Sequence, residues 1–133
     1  MKIIVCIDEC RGMLFGGRRQ SRDRVLIADM VRHTGEWLLI SPFSKILFEG
    51  YVVRVSESPL DTAGDGDYVF IENEDALPYL DKIDEIIIYN WNRTYPRDFL
   101  FKIEPKSCGF TLAETSELVG SSHEKITKEV YRR

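Results

Sequence analysis

The sequence predicts an α/β protein built on a central, mostly parallel β-sheet. Short apolar runs alternate with segments whose apolar residues recur at helical spacing, and the first run lacks the polar alternation of a half-exposed strand. Such alternation is typical of right-handed β-α-β units with helices on both faces of the sheet. The chain has 133 residues, of which 44% are apolar and 30% charged. We therefore expect one domain over residues 1–133.

The apolar runs locate the predicted strands. Residues Lys2–Ile7 are almost all apolar and are followed by two acids, the pattern of a strand buried on both faces, so we expect this strand at the centre of the sheet. Runs with β-branched or aromatic residues predict four further strands, at 37–40, 51–55, 67–71 and 85–91.

The first long connection combines a loop with a helix. Glycines punctuate residues 11–20 and predict a loop. Apolar residues at helical spacing then predict a helix over 21–32. Ser21 is the expected N-cap of this helix, because its hydroxyl can accept a hydrogen bond from a main-chain N–H of the first turn.

Later connections are shorter. Ser41, followed by a proline, predicts the start of a short helix that ends near Phe48. Residues 58–67 are rich in turn formers and too few for a further helix and strand. A last short helix is expected over 74–80.

The C-terminal third departs from this alternation. Residues 109–115 alternate apolar and polar side chains like a half-exposed strand. Ser121 and Glu124 match a helical capping box, whereas 126–132 suit a strand that pairs back as an antiparallel hairpin. Local rules alone favour the helix slightly, and both alternatives remain open at this point.

Composition limits the classes of partner. With 18 Lys and Arg against 22 Asp and Glu, the net charge of −4 argues against extended nucleic-acid binding. No run approaches the roughly 20 apolar residues of a membrane span, and no export signal is visible, so we expect a cytoplasmic protein without a membrane partner. Cys6, Cys10 and Cys108 form neither a disulfide framework nor a zinc motif, and no metal site is predicted.

Several strings of residues carry a resemblance to a known family. They lie at 3–12, 68–80, 82–88, 98–101 and 127–132. The string at 3–12 resembles the first strand and the loop glycine of the dihydrofolate reductase fold family, and the string at 68–80 resembles the cofactor strand and short helix of that family. The strings at 82–88, 98–101 and 127–132 resemble its next strand, its D-x-x-F segment and its last strand. The resemblance implies a three-layer α/β sandwich with an antiparallel C-terminal hairpin, which favours the strand for 126–132.

The chain also resembles a branch of small, uncharacterised bacterial proteins. The shared strings are RRQS at 18–21, WNRxYP at 91–96 and GSSHEKIT at 120–127. Some members of this branch carry the label ribonuclease Z. That enzyme resembles a metallo-β-lactamase with a cluster of His and Asp ligands, whereas this chain has only His33 and His123, so the sequence does not support the label.

Departures from the reductase pattern concern the cofactor. Where that family has two adjacent glycines against the cofactor pyrophosphate, this sequence has Glu72 and Asn73, so a carboxylate faces the phosphate position without a cation beside it in the sequence. The connection over 55–67 also lacks the helix and edge strand that help to hold the adenosine half. These departures disfavour NADPH, and the cofactor stays unassigned.

A cluster of arginines suggests an anion site. Between positions 11 and 24 the only acid is Asp23, and the arginines there are Arg11, Arg18, Arg19, Arg22 and Arg24. In an acidic protein they create a local positive field beside a helix N-terminus, which suits phosphate. The alternative is that they pair with the many acids between 57 and 85. The expected ligand-binding residues are Arg18, Arg19, Arg22, Ser41, Ser44 and Asn73.

Asp23 and His123 are the candidate catalytic residues. The reductase resemblance implies that Asp23 lies near the family's catalytic carboxylate and that the loop at 120–125 lies beside 18–23. A histidine next to an acid and arginines could transfer a proton at a phosphodiester. The alternative is a loop histidine that orders the neighbouring turn.

Three functions are compatible with these features. The leading hypothesis is a protein that binds a phosphorylated or nucleotide-like small molecule in a degenerate reductase-like cleft. The second is an NADPH-dependent reductase in which Asp23 orients the substrate. The third is a ribonuclease that uses His123 and the arginine loop, with Trp91 and Tyr95 either stacking on a base or belonging to the core.

Overall fold

The computed structural model describes residues Met1 to Arg133. Its strands are β1 (Lys2–Ile7), β2 (Gly12–Phe15), β3 (Arg18–Arg19), β4 (Leu38–Ile40), β5 (Arg54–Val55), β6 (Tyr68–Phe70), β7 (Glu85–Asn90), β8 (Phe99–Leu100), β9 (Thr111–Leu118) and β10 (Ile126–Arg132). Its helices are α1 (Arg24–Thr34) and the single turn α2 (Pro59–Thr62), with 3₁₀ segments at Gly35–Trp37, Pro42–Phe48, Leu77–Lys82 and Pro105–Cys108. None of the helices combines the length and the apolarity of a membrane span.

Seven strands form the central sheet, in the order β5-β4-β6-β1-β7-β10-β9. β1 lies in the middle and pairs in parallel with both β6 and β7. β10 runs antiparallel to β7 and to β9, so the chain ends in a hairpin. The predicted α/β class, the mostly parallel sheet, the central position of β1 and the C-terminal hairpin are confirmed.

Both faces of the central part of the sheet are buried, whereas the edge strands β5 and β9 are exposed. Ile3, Val5 and Ile7 of β1 belong to one apolar cluster, whereas Ile4 belongs to a second cluster that also contains Leu26 of α1. Successive residues of a strand point to opposite faces. Because side chains on both faces of β1 enter an apolar cluster, no position in this strand faces solvent in an alternating polar pattern. This explains the apolar run of β1.

Residues 11–20 form a hairpin instead of the expected loop. β2 and β3 pair antiparallel, and β8 adds a third strand to this second sheet. Gly16 and Gly17 make the turn with positive φ values of 59° and 74°, which glycine adopts without a Cβ clash. The glycines that predicted a loop are thus the turn of the hairpin.

Several predicted elements differ in length or position; the strand expected over 109–115, for example, is β9 at Thr111–Leu118. The strand expected over 51–55 is reduced to β5, because Tyr51 and Val52 are exposed and do not pair in the sheet. The helix expected over 74–80 is the 3₁₀ segment Leu77–Lys82.

The start of α1 also differs from the prediction. Its N-cap is Asp23, whose carboxylate accepts hydrogen bonds from the first turn, and not Ser21. The Oγ of Ser121 accepts a further hydrogen bond from the N–H of Arg24, at 3.0 Å. The serine of the apparent capping box therefore caps α1 rather than a helix of its own. This contact ties the loop before β10 to the N-terminus of α1.

Candidate functional site

Asp23 presents a fully buried carboxylate at the start of α1. Its Oδ1 accepts hydrogen bonds from the N–H groups of Val25, Leu26 and Ser121, at 2.9, 3.3 and 3.0 Å. Its Oδ2 accepts from the N–H and the hydroxyl of Ser122, at 2.8 and 3.2 Å. Burial alone raises the pKa of Asp23, but the N–H donors of Ser122 and Ser121 outweigh it and hold this pKa well below its usual range. The carboxylate is therefore ionised and saturated by the protein.

His123 lies between this carboxylate and two hydroxyl groups. Its Nδ1 is 3.1 Å from Oδ2 of Asp23, so we assign the ring proton to Nδ1 from the hydrogen-bond network. Its Nε2 is 3.0 Å from Oγ of Ser21 and 3.0 Å from the hydroxyl of Tyr95. The ring stacks on Trp91 with centroids 4.5 Å apart, and the side chain is only 3% exposed. Carboxylate and indole together fix the orientation of the imidazole.

A cleft of about 310 Å³ opens beside the start of α1. Its lining residues are Arg22, Asp23, Arg24, Ile27, Ile46, Leu47, Glu49 and Tyr51. A narrow inner cavity of about 20 Å³ shares part of this lining and reaches Ser21 and Trp91. The cleft thus combines an apolar wall with charged residues at its rim, and Ser21, whose hydroxyl is bonded to His123, lines the inner cavity but not the cleft.

The arginines of 11–24 have different roles. Arg22 and Arg24 line the cleft, are exposed, and make no side-chain hydrogen bond or ion pair. Arg18 is also exposed and unpaired but does not line the cleft. Arg11 is occupied, because its guanidinium donates to the carbonyls of Phe101 and Ile103. None of these guanidinium groups contacts the ring of His123.

Arg19 is occupied by a buried ion pair. Its Nε lies 2.8 Å from Oε2 of Glu72, its Nη2 lies 3.1 Å from Oε1, and it also donates to the carbonyl of Phe43. The hydroxyl of Ser44 donates to the same Oε1 at 2.7 Å. The sequence lacked a cation beside Glu72, but the fold supplies one. Arg19 and Ser44 are therefore engaged with Glu72.

Ser41 and Asn73, two other expected ligand-binding residues, lie apart from the cleft. They share a shallow pocket of about 270 Å³ with Pro42, Phe43, Glu57 and Glu74. The pocket contains two carboxylates and neither lysine nor arginine. A phosphate there would meet like charge without a compensating cation. The structure thus does not bring the expected ligand residues together: Arg22 lines the cleft, Ser41 and Asn73 line the shallow pocket, Arg19 and Ser44 contact Glu72, and Arg18 lies outside all three.

The approach of the loop at 120–125 to residues 18–23 was expected, but the two hydroxyl groups that contact Nε2 of His123 were not foreseen from the sequence. Ser21 was expected to cap α1, and Tyr95 to stack on a base or to lie in the core. The contacts of Nε2 connect residues that are 102 and 28 positions apart in the chain. The sequence offered only two signals, Ser21 two positions before the capping residue Asp23, and Tyr95 within a string of polar residues. Neither signal indicates that the two hydroxyl groups contact His123.

Comparisons with known proteins support the fold. No protein-family model matches the chain, and no curated protein matches it either. Among solved structures it is similar to a dihydrofolate reductase from Enterococcus faecalis described as complexed with NADP(H) and RAB-propyl. The TM-score is 0.66 over 99% of this chain and 95% of that chain, at 14% identity. The resemblance to a bacterial branch stays a prediction. The chain has a dihydrofolate reductase-like fold, as its sequence strings predicted.

Proposed function

We propose that this protein binds a small phosphorylated or nucleotide-like molecule in the cleft at the start of α1. The observation that carries the proposal is the presence of two unpaired arginines, Arg22 and Arg24, on the rim of a cleft with apolar walls. Unpaired guanidinium groups bind phosphate through several N–H donors at once. The apolar wall, with Ile27 and Leu47, suits the ring system of a base.

The charges around the cleft favour a small anion over a polymer. Glu49 also lines the cleft, so the positive field is confined to the side of Arg22 and Arg24. The protein carries a net charge of −4, which opposes a longer polyanion. The main-chain N–H groups in the first turn of α1 are occupied by Asp23 and Ser121, so this turn adds no free donor to the guanidinium groups of Arg22 and Arg24. Arg18 adds to the field without lining the cleft.

The pocket around Ser41 and Asn73 does not suit the pyrophosphate of a dinucleotide cofactor. The reductase neighbour is described with NADP(H). In this chain the pocket around Ser41 and Asn73 presents Glu57 and Glu74 without a cation, and Glu72 is held by Arg19. A pyrophosphate needs main-chain N–H groups or cations. Both carboxylate oxygens of Asp23 already accept hydrogen bonds from the protein, so we assign Asp23 no role in hydride transfer.

The ribonuclease alternative has no contact that favours it. His123 is buried, its two ring nitrogens face Asp23, Ser21 and Tyr95, and no guanidinium touches the ring. Trp91 is 3% exposed and stacks on His123 rather than on a free surface. A phosphodiester would have to displace these contacts before any proton transfer.

Calorimetric titration with inorganic phosphate, AMP and ADP tests the proposal. We expect heat of binding in the wild-type protein and a loss of at least about tenfold in affinity for Arg22→Gln/Arg24→Gln, since each phosphate contact to a charged donor is worth roughly 1.5–3 kcal/mol. The control is Arg18→Gln, which removes an exposed arginine outside the cleft. Absence of heat with every compound, or equal losses in the control, would contradict the proposal.

A further inference from the structure

A chain of hydrogen bonds leads from the buried carboxylate of Asp23 to Ser21, which lines the narrow inner cavity beside the cleft. Nδ1 of His123 lies 3.1 Å from Oδ2 of Asp23, and Nε2 lies 3.0 Å from Oγ of Ser21. Ser21 is half-buried and lines the inner cavity. The order carboxylate, imidazole, hydroxyl is the arrangement that activates a serine as a nucleophile.

Capping of α1 does not account for the position of Ser21. The helix is capped by Asp23 and needs no second cap from Ser21. The hydroxyl of Tyr95 also lies 3.0 Å from Nε2 of His123, which offers one lone pair when the ring proton is assigned to Nδ1. The serine hydroxyl is thus a second donor at an acceptor that needs only one.

Main-chain donors directly follow this serine. The N–H groups of Arg22 and Asp23 donate no hydrogen bond within the chain. The N–H of the residue after a nucleophile commonly stabilises the oxyanion of a tetrahedral intermediate. The nucleophile and the unpaired N–H donors therefore lie in the segment between β3 and α1, and the proton acceptor His123 reaches them from the loop before β10.

We propose that Ser21 is the nucleophile in the hydrolysis of a small carboxylic ester that bears an anionic group. His123 accepts the proton of Ser21, and Asp23 is the positioning residue for its ring. The inference rests on the proposed function for the anionic group, which Arg22 and Arg24 bind. The contacts of Ser21 with His123, and of His123 with Asp23, do not depend on the proposed function.

The reaction balances with water as the only co-reactant. Oγ of Ser21 forms a bond to the acyl carbon while its proton passes to Nε2 of His123. The ester C–O bond then breaks, and Nε2 returns the proton to the leaving alcohol. Water attacks the acyl-serine, gives one proton to Nε2, and releases the acid as the ester bond to Oγ breaks. The proton on Nε2 then restores the hydroxyl of Ser21.

Tyr95 competes with Ser21 for the same lone pair of His123. Replacement of Tyr95 by phenylalanine removes the competitor and keeps the aromatic ring in place. If Nε2 is the base for Ser21, Tyr95→Phe keeps or raises the reactivity of the serine. If the hydrogen bond of Ser21 has only a structural role, the serine is unreactive both in the wild-type protein and in Tyr95→Phe.

A fluorophosphonate probe tests the nucleophile directly. Oγ of an activated serine displaces fluoride from phosphorus, and mass spectrometry of peptides locates the added group. We expect labelling at Ser21, a loss of at least about 100-fold in the labelling rate for Ser21→Ala, and labelling in Tyr95→Phe at the wild-type rate or faster. Ser107→Ala, which alters an exposed serine, serves as the control and labels like wild type. Thermal denaturation establishes that each variant is folded.

A second readout identifies the substrate class. We expect faster hydrolysis of a 4-nitrophenyl ester with a terminal carboxylate than of 4-nitrophenyl acetate, and a loss of this preference in Arg22→Gln/Arg24→Gln. Binding of AMP or phosphate without labelling of Ser21 would overturn the nucleophile and leave the proposed function intact. Labelling of Ser21 without binding of any phosphate, and without the ester preference, would overturn the anionic substrate and the proposed function together. Equal labelling of other serines would also overturn the assignment to Ser21.

Discussion

The hydrogen bonds of His123 restrict what this side chain can do. Nδ1 is committed to the ionised carboxylate of Asp23, so Nε2 is the nitrogen that can accept a proton. The imidazole ring of His123 stacks on the indole of Trp91, so a rotation of the imidazole would break this contact. The consequence is a base with one available nitrogen, directed at the hydroxyl groups of Ser21 and Tyr95.

The lowered pKa of Asp23 predicts a contribution to stability that acid removes. The ionised form stabilises the fold above the unfolded-state pKa of about 4, and this contribution is lost as the pH falls through the lower pKa of the folded protein. We expect Asp23→Asn to lower the free energy of unfolding at neutral pH by at least about 1 kcal/mol and to flatten its decline between about pH 5 and pH 2. Urea unfolding at a series of pH values measures both effects.

The matched control for this titration is Asp65→Asn. Asp65 is exposed and its side chain makes no hydrogen bond, so its replacement should leave the decline of stability with acid unchanged. Asparagine still provides an oxygen for the N-cap, which keeps α1 formed in Asp23→Asn. An acid decline in Asp23→Asn as steep as in the wild type would contradict the role of the ionised carboxylate.

At the level of elements, the loop before β10 and the N-terminus of α1 form one unit. Ser121 caps α1 through its hydroxyl, and the N–H groups of Ser121 and Ser122 bind the Asp23 carboxylate. Gly120 makes this approach possible, because a Cβ there would come within 2.8 Å of the carbonyl oxygen of His123. The hairpin of β9 and β10 thereby places His123 against a helix distant in sequence.

Removal of the Ser121 hydroxyl tests this unit. Ser121→Ala leaves the N–H of Arg24 without its acceptor, so we expect a loss of about 1 kcal/mol in the free energy of unfolding, the usual cost of a missing helix cap. Urea unfolding measures the loss. Ser107→Ala, at an exposed serine whose hydroxyl makes no hydrogen bond, should stay within about 0.5 kcal/mol of wild type. Equal stability of the two variants would show that Ser121 does not cap α1.

For the molecule as a whole, the architecture was largely predictable from local patterns. The apolar run of β1 and the β-branched residues of β7 and β10 require a sheet with two buried faces, and that sheet is present. The hairpin over 11–20 was missed because Gly16 and Gly17 signal a turn without revealing the strands on either side, which are short and partly polar.

The candidate site was less predictable for a physical reason. Asp23 and His123 were brought together only by the family resemblance, because their contact spans 100 positions. The pairing of Arg19 with Glu72 depends on the packing of β3 against the end of β6, which no local rule encodes. The number of arginines between positions 11 and 24 predicted a positive patch. Which of these arginines have no partner depends on their burial and their ion pairs in the folded protein.

Under the proposed function, the cleft between α1 and the segment at 46–51 is the ligand site. Chemical-shift mapping of the amide resonances during titration with AMP tests this location. We expect shifts concentrated on Arg22, Arg24 and Leu47, and we expect these shifts to disappear in Arg22→Gln/Arg24→Gln. Shifts concentrated instead around Ser41 and Asn73, or no shifts at millimolar AMP, would contradict it.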